Sequence, residues 1–345
     1  VAASGAVVCV VLAGCTGGGQ APRNAASPGA SIVPPLGGPA TSLQQDYELV
    51  VRQVRTSVVQ INTRAGLGSG IVYDKQGHIV TNAHVVGSFK TFEVTLATGG
   101  APLRASLVAS YPPDDLAVIR VEKPLAVAPA KFADSSQLAV GQIVLAMGNP
   151  LGLSGSVTEG IVSAVDRTVA EPASETSPGT TITRMIQTSA AINPGNSGGA
   201  LVDLTGKVVG IPTLAATDPQ LGGGAAPGIG FAIPSNTVTR IAGQIIKSGR
   251  VVESGRAALG VTGSTVTDAA GAPVGVGVVA VRAGSGAAKA GIRPGDIITA
   301  INGTKTPTSS ALSEVVVKHR PGETVKVTFT RQGTSKTVKV TLGEL

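Results

Sequence analysis

The chain has 345 residues, 42% of them hydrophobic but without Trp and with only 2% aromatics, which allows two packed domains and favours short Val/Thr/Gly-rich strands over long helices. Lys and Arg outnumber Asp and Glu by 27 to 20, and nearly all of the excess lies from Arg256 onward, a bias that suits an anionic surface, an acidic polymer or a carboxylate ligand. No interleaving of aromatic and basic residues and no zinc-ligand spacing is present, which argues against nucleic acid, a metal or a cofactor as a partner.

In chain order, Val1 to Gly14 is small and apolar and reads as the truncated hydrophobic region of a secretory signal. The ending Leu12-Ala13-Gly14-Cys15 resembles a bacterial lipobox, which predicts lipidation at Cys15 and attachment to a membrane. Cys9 leaves with such a signal, so no disulfide is expected. Residues 16–42 are rich in Gly, Pro, Ser and Ala and read as a flexible linker.

Apolar residues at Leu43, Tyr47, Val50, Val51 and Val54 predict a helix. Six strands are expected at 57–61, 68–73, 78–81, 92–96, 103–109 and 116–121, and six more at 143–147, 156–165, 184–188, 200–203, 208–212 and 228–233. Each set is enough for one closed antiparallel barrel without exposed sheet edges. Two polar loops, 168–181 and 218–227, interrupt the second set and are expected to be mobile. Ser235 is a plausible N-cap for a helix that presents Val238, Ile241, Ala242, Ile245 and Ile246, and Gly249 ends it.

Three stretches carry chemistry. Ala83-His84-Val85 follows one strand, Asp114-Asp115-Leu116 opens another, and Gly195-Asn196-Ser197-Gly198-Gly199 forms a tight turn in the second set. A serine hydroxyl needs an imidazole to take its proton, and the imidazole needs a buried carboxylate to hold its tautomer. The order His, Asp, Ser is that of chymotrypsin-type proteases. Backbone N–H groups of Gly195, Asn196 and Ser197 are the expected oxyanion donors. Of the other histidines, His78 reads as a strand-start residue and His319 as a helix-end residue; no metal cluster is expected.

Taken together, Gly68-Ser69-Gly70-Ile71-Val72, Thr81-Asn82-Ala83-His84-Val85-Val86, Asp115-Leu116-Ala117-Val118, Ala146-Met147-Gly148-Asn149-Pro150, Asn193-Pro194-Gly195-Asn196-Ser197-Gly198-Gly199 and Gly230-Phe231-Ala232-Ile233-Pro234 resemble the HtrA/Deg family of extracytoplasmic serine proteases. The resemblance implies a mainly β fold: a chymotrypsin-like double six-stranded β-barrel over 43–249, a linker over 250–255 and a PDZ domain over 256–345. It selects Asp115 over Asp114 as the acid. It also implies cleavage of unfolded proteins after small or medium apolar residues, with Ile192, Ile229, Gly230 and Phe231 as pocket walls, and assembly into a homotrimer. Ser189 departs from the family, many members of which carry Asp in that segment.

In the same resemblance, Ala258-Leu259-Gly260-Val261 is similar to a carboxylate-binding loop, with Leu259, Gly260 and Val261 expected to hold a peptide C-terminus. Ser309 to His319 is the expected groove helix, and Asn302-Gly303 a hairpin turn. Two rival readings are a chaperone or peptide sensor with little basal proteolysis and a signalling protease with one specific target.

Overall fold

The computed structural model describes residues 39–64, 66–149, 156–171, 180–193, 195–218 and 224–345. Cys15, most of the expected linker and the centres of the two polar loops lie outside the described residues. Gln44–Leu345 clusters as one unit, apart from Val1–Leu43.

Helix α1 (Pro39–Arg55) places Val50 and Val54 in the largest core, with Tyr47 and Val51 packed against it, the stripe that a spacing of three and four residues produces. Strands β1 (Val58–Asn62), β2 (Leu67–Val72) and β3 (His78–Thr81), the single helical turn α2 (Ala83–Val86), and β4 (Thr91–Leu96), β5 (Leu103–Tyr111) and β6 (Leu116–Val121) follow. They close into a barrel of order β1-β2-β3-β6-β5-β4. Because successive side chains in a strand point to opposite faces, Val59, Ile79 and Ile119 join one barrel cluster. Their neighbours Val58, Val80 and Val118 turn the other way, into the largest core.

Strands β7 (Ile143–Gly148), β8 (Ser156–Glu171), β9 (Thr180–Thr188), β10 (Ala200–Asp203), β11 (Val208–Asp218) and β12 (Gly224–Pro234) close a second barrel, of order β10-β11-β12-β9-β8-β7. The same alternation sends Val144, Ala146 and Leu201 to a cluster of this barrel. Leu145, Met147, Ala200 and Val202 go to the core that also holds Val58, Val80 and Val118, so that core welds the two barrels together.

The β8–β9 and β11–β12 hairpins are longer than the hydrophobic pattern predicts. Backbone pairing continues to Glu171↔Thr180 and Asp218↔Gly224, through stretches expected to be loop. Ladder hydrogen bonds need no apolar side chain, so composition alone does not end a hairpin.

Helix α3 (Ser235–Ser248) buries Val238, Ile241, Ala242 and Ile245 and ends at Gly249, whose φ of 68° allows its N–H to reach the Ile245 carbonyl. Its N-cap is Pro234, not Ser235; the Ser235 hydroxyl instead donates to the Ala133 carbonyl at 2.7 Å.

Beyond it, β13 (Ala257–Ala258), β14 (Val261–Thr267), β15 (Pro273–Val281), α4 (Gly286–Lys289), β16 (Ile297–Ile301), β17 (Thr304–Lys305), α5 (Ser309–Val316), β18 (Thr324–Arg331), β19 (Thr334–Thr341) and β20 (Gly343–Glu344) build a smaller body. Its main sheet runs β14-β15-β16-β18-β19, and β13 pairs with β20. Val276, Ile298, Ile301, Leu312, Val327 and Phe329 lie in a core of its own. Asn302 and Gly303 both have positive φ, 49° and 83°, and turn β16 into β17. The Thr308 hydroxyl caps α5, which stops at Val316, short of the expected His319; the His319 ring instead pairs with Glu323 at 2.8 Å.

Candidate active site

Asp115 sits where the 3₁₀ turn Pro112–Asp114 meets β6, at φ 49°, a left-handed conformation that Asp tolerates better than most residues. The turn aims its carboxylate at α2. Oδ1 accepts the backbone N–H of His84 at 2.9 Å, and Oδ2 lies 2.9 Å from His84 Nδ1. The Asp115 carbonyl is held in turn by the N–H of Ala83 at 3.1 Å and the Asn82 side chain at 3.0 Å. Asp115 is 2% exposed, so these bonds are made away from bulk water.

A further donor comes from the other barrel. The Thr213 hydroxyl, on β11, donates to Asp115 Oδ2. The Thr213 carbonyl accepts the Ser197 hydroxyl at 3.2 Å. One residue therefore touches both the acid and the candidate nucleophile. Sequence reasoning missed it, because nothing in Ile211-Pro212-Thr213 marks it locally.

The turn around Ser197 is fixed by backbone bonds. Asn196 N–H donates to Asn193 O at 3.0 Å, Gly198 N–H to Pro212 O at 3.1 Å and Gly199 N–H to Asn196 O at 2.9 Å. Gly198 has φ 81°, and a Cβ there would run into Ser69 O and Thr81 Oγ1, so no side chain fits. Among the described residues the N–H groups of Gly195 and Ser197 are bonded to no acceptor, as oxyanion donors require. Asn196 is a correction: its N–H is taken up by Asn193 and its side chain donates to the Ala191 carbonyl at 3.3 Å.

Residues 68–211 match the trypsin-like peptidase domain and residues 257–342 the PDZ domain. The chain is 38% identical to the serine protease Do-like HtrA of Lactococcus lactis over 293 residues, 80% of this chain and 70% of that protein. The chain belongs to the HtrA/Do-like family of serine proteases. It is also 38% identical to the serine protease PepD of Mycobacterium tuberculosis, over 96% of this chain and 71% of that protein. Against DegQ of Escherichia coli, a periplasmic pH-dependent serine endoprotease, identity is 38% over 80% of this chain and 59% of that protein. Among solved structures, the serine endoprotease from Yersinia pestis superposes with a TM-score of 0.56 at 33% identity, covering 87% of this chain and 98% of that one.

Within this HtrA-type protease two of the expected pocket residues need correction. Ile192 and Gly230 face each other, so closely that a Cβ on Gly230 would clash with Ile192 Cγ1. Phe231, the next residue on β12, points to the opposite face and packs in the core between the barrels at 9% exposure. Ile229, also opposite in parity to Gly230, is 38% exposed. Ser189, where the family often has Asp, bonds Ile161 through both its N–H and its hydroxyl.

In the PDZ domain the carbonyls of Leu259 and Gly260 accept the N–H groups of Ala287 at 3.1 Å and Arg282 at 2.8 Å. A trans peptide points its C=O and N–H in opposite directions, so the N–H groups of Gly260 and Val261 face away from the domain. The Leu259 side chain is buried in the PDZ core. β14 ends one side of the sheet, and its Thr265 hydroxyl accepts the N–H of Ser309 at the start of α5 at 3.0 Å.

Arg256, just ahead of the stretch that matches the PDZ domain, reaches back to the first barrel and to β9. Its guanidinium donates to Asp114 Oδ1 at 2.7 Å, Pro113 O at 2.6 Å and Thr181 O at 2.7 Å. Both partners of the ion pair are buried, and Asp114 directly precedes the Asp115 of the candidate triad.

Proposed function

We propose that this HtrA-type serine protease is an extracytoplasmic endopeptidase that cleaves unfolded proteins through an acyl-enzyme, with Ser197 as nucleophile, His84 as base and Asp115 as the orienting acid. The observation that carries the reading is the double bond pattern between Asp115 and His84. A carboxylate on Nδ1 holds the imidazole proton there and leaves Nε2 as the basic nitrogen.

Ser197 turns its hydroxyl from the Thr213 carbonyl toward His84, which takes the proton as Oγ adds to the scissile carbonyl. The oxyanion is received by the N–H groups of Gly195 and Ser197. His84 then passes the proton to the leaving amine, and water repeats the sequence to release the acid. Asp115 stays ionised and steadies the imidazolium. We take the face where Ile192 meets Gly230 as the wall of the pocket that receives small or medium apolar side chains; their close contact supports it.

The PDZ domain, taken as 256–345 after a linker at 250–255, receives a peptide C-terminus on the Gly260 and Val261 N–H groups, with the peptide added as a strand beside β14. The protease domain is taken as 43–249. Lipidation at Cys15, a homotrimeric state and an extracytoplasmic location complete the proposal; the periplasmic relative DegQ supports the location.

The test is hydrolysis of an unfolded protein by the full chain and by Ser197→Ala. Turnover by the wild type and none by the variant is expected; equal turnover overturns the assignment. Fatty-acid labelling should be lost in Cys15→Ala if the lipid reading holds.

A further inference from the structure

We infer that Ser69, on β2 of the first barrel, is a positioning residue for the oxyanion donors on the second barrel. The inference rests on the proposed roles of Ser197 and Gly195. Ser69 is fully buried and grips the Ser197 turn at two points. Its hydroxyl donates to the Gly195 carbonyl at 2.6 Å, and its backbone N–H donates to the Ser197 carbonyl at 3.0 Å.

Those two carbonyls belong to the peptide planes on either side of the Asn196–Ser197 peptide, the unit whose N–H serves the oxyanion. Pinning both neighbours fixes the Asn196 and Ser197 Cα atoms between which that unit hangs, and the Gly199 N–H, bonded to the Asn196 carbonyl at 2.9 Å, sets the unit's own tilt. The far ends of the pinned planes are bonded as well: Asn196 N–H to Asn193 O and Gly198 N–H to Pro212 O. Without Ser69 the two flanking planes are free to shift, and the Ser197 N–H carried between them shifts too.

Ser69 is itself prevented from turning. The backbone N–H of Asn149 donates to Ser69 Oγ at 2.8 Å. With a donor occupying one lone pair, the hydroxyl proton has one acceptor to serve, the Gly195 carbonyl. The Ser69 carbonyl meanwhile accepts the Thr81 hydroxyl at 2.6 Å, from the strand that leads into His84. Ser69 thus joins three stretches that are remote in sequence: the Ser197 turn, Asn149 just after β7, and the end of β3 at Thr81.

An oxyanion donor contributes only when it is aimed at the developing charge, so a loosened donor lowers kcat more than it raises KM. In Ser69→Ala, the Asn149 N–H and the Gly195 carbonyl both lose their partner. Kcat on a peptide substrate is expected to fall about tenfold to a hundredfold, less than deletion of a donor outright, with KM changed by no more than about twofold. The affinity of a peptide boronate, whose tetrahedral adduct puts an oxygen in the same place, should fall by the same factor as kcat.

Ser69→Cys keeps a weak S–H donor in a slightly larger side chain and is expected to fall between Ser69→Ala and the wild type. Ser57→Ala is the control. It removes a buried hydroxyl bond to the Ala128 carbonyl at 2.8 Å in the same barrel without touching the Ser197 turn. The experiment measures kcat, KM, boronate affinity and thermal midpoint for all three variants and for Ser197→Ala.

A selective loss of kcat and boronate affinity in Ser69→Ala, graded through Ser69→Cys and absent from Ser57→Ala, supports the inference. Wild-type kcat in Ser69→Ala overturns it, as does an equal loss in Ser57→Ala at a matched fall in thermal midpoint. Should Ser69→Ala fail to fold, wild-type kcat and boronate affinity in Ser69→Cys overturn it on their own. Turnover surviving in Ser197→Ala instead overturns the proposed function beneath it.

Discussion

Thr213 donates its hydroxyl to Asp115 from the opposite barrel, and the two buried residues are 98 positions apart in the chain. The acid is therefore held by its own barrel through His84 and by the opposite barrel through Thr213. Thr213→Val keeps the shape but removes a donor to a buried carboxylate, a loss of about 1.5–3 kcal/mol. A fall in kcat/KM of roughly ten- to a hundredfold is expected, with Thr213→Ser near wild type. Steady-state kinetics on a peptide substrate checks it, and wild-type kinetics in Thr213→Val would remove Thr213 from the site.

Arg256, one residue ahead of the stretch that matches the PDZ domain, carries a buried charge onto Asp114. Breaking such a pair by removing one partner is costly, because the other charge stays buried; about 3–5 kcal/mol is the usual range. Arg256→Ala is therefore expected to lower stability by that order and to reduce activity, since Asp115 follows Asp114 in the same turn. Asp114→Asn combined with Arg256→Met should recover much of the loss. Denaturant unfolding of the two single variants and the double variant gives the coupling directly.

Gly230→Ala puts a methyl group against Ile192 and 3.2 Å from the Ala190 carbonyl. The proposed pocket should narrow, and cleavage after Val or Ile should fall relative to cleavage after Ala. One methylene is worth about 1–3 kcal/mol in such a pocket, or roughly tenfold or more in kcat/KM. A peptide series varying only that residue measures the ratio; an unchanged ratio would place the pocket elsewhere.

In the PDZ domain the Arg331 guanidinium, through Nε at 2.6 Å and Nη2 at 2.7 Å, holds the Asp296 carboxyl below the usual carboxylate range. A depressed folded-state pKa stabilises the domain above the unfolded value, roughly 3.9 for Asp. That contribution is lost as pH falls through the folded value. Asp296→Asn should therefore cost stability at neutral pH, and its difference from wild type should shrink below about pH 4. Thermal unfolding against pH checks the sign; a gap that widens in acid would refute it.

The chain order of His84, Asp115 and Ser197 and the two sets of strands were legible because local flanks and period-two patterns carry them. Ser69, Thr213 and Arg256 were not legible in these roles, since each acts on a residue 98 to 142 positions away. Ile229 and Phe231 show a different failure. A pocket wall was read as a contiguous stretch, but a strand gives alternate residues to opposite faces, so Gly230 alone of the three meets Ile192. Asn196 shows a third, for only the folded turn reveals that its N–H is already used.

The main PDZ sheet ends in β14 on one side and β19 on the other, and these margins differ in kind. Val261 to Thr267 carries no charged residue, whereas β19 carries Lys336 and Lys339. Lysines on a margin discourage a stray strand from docking, because pairing would strip water from their ammonium groups. The sheet is therefore open to an extended visitor at one border and guarded at the other. On the proposed function, a protein that handles unfolded chains can in this way welcome one end of a client without being glued to the next.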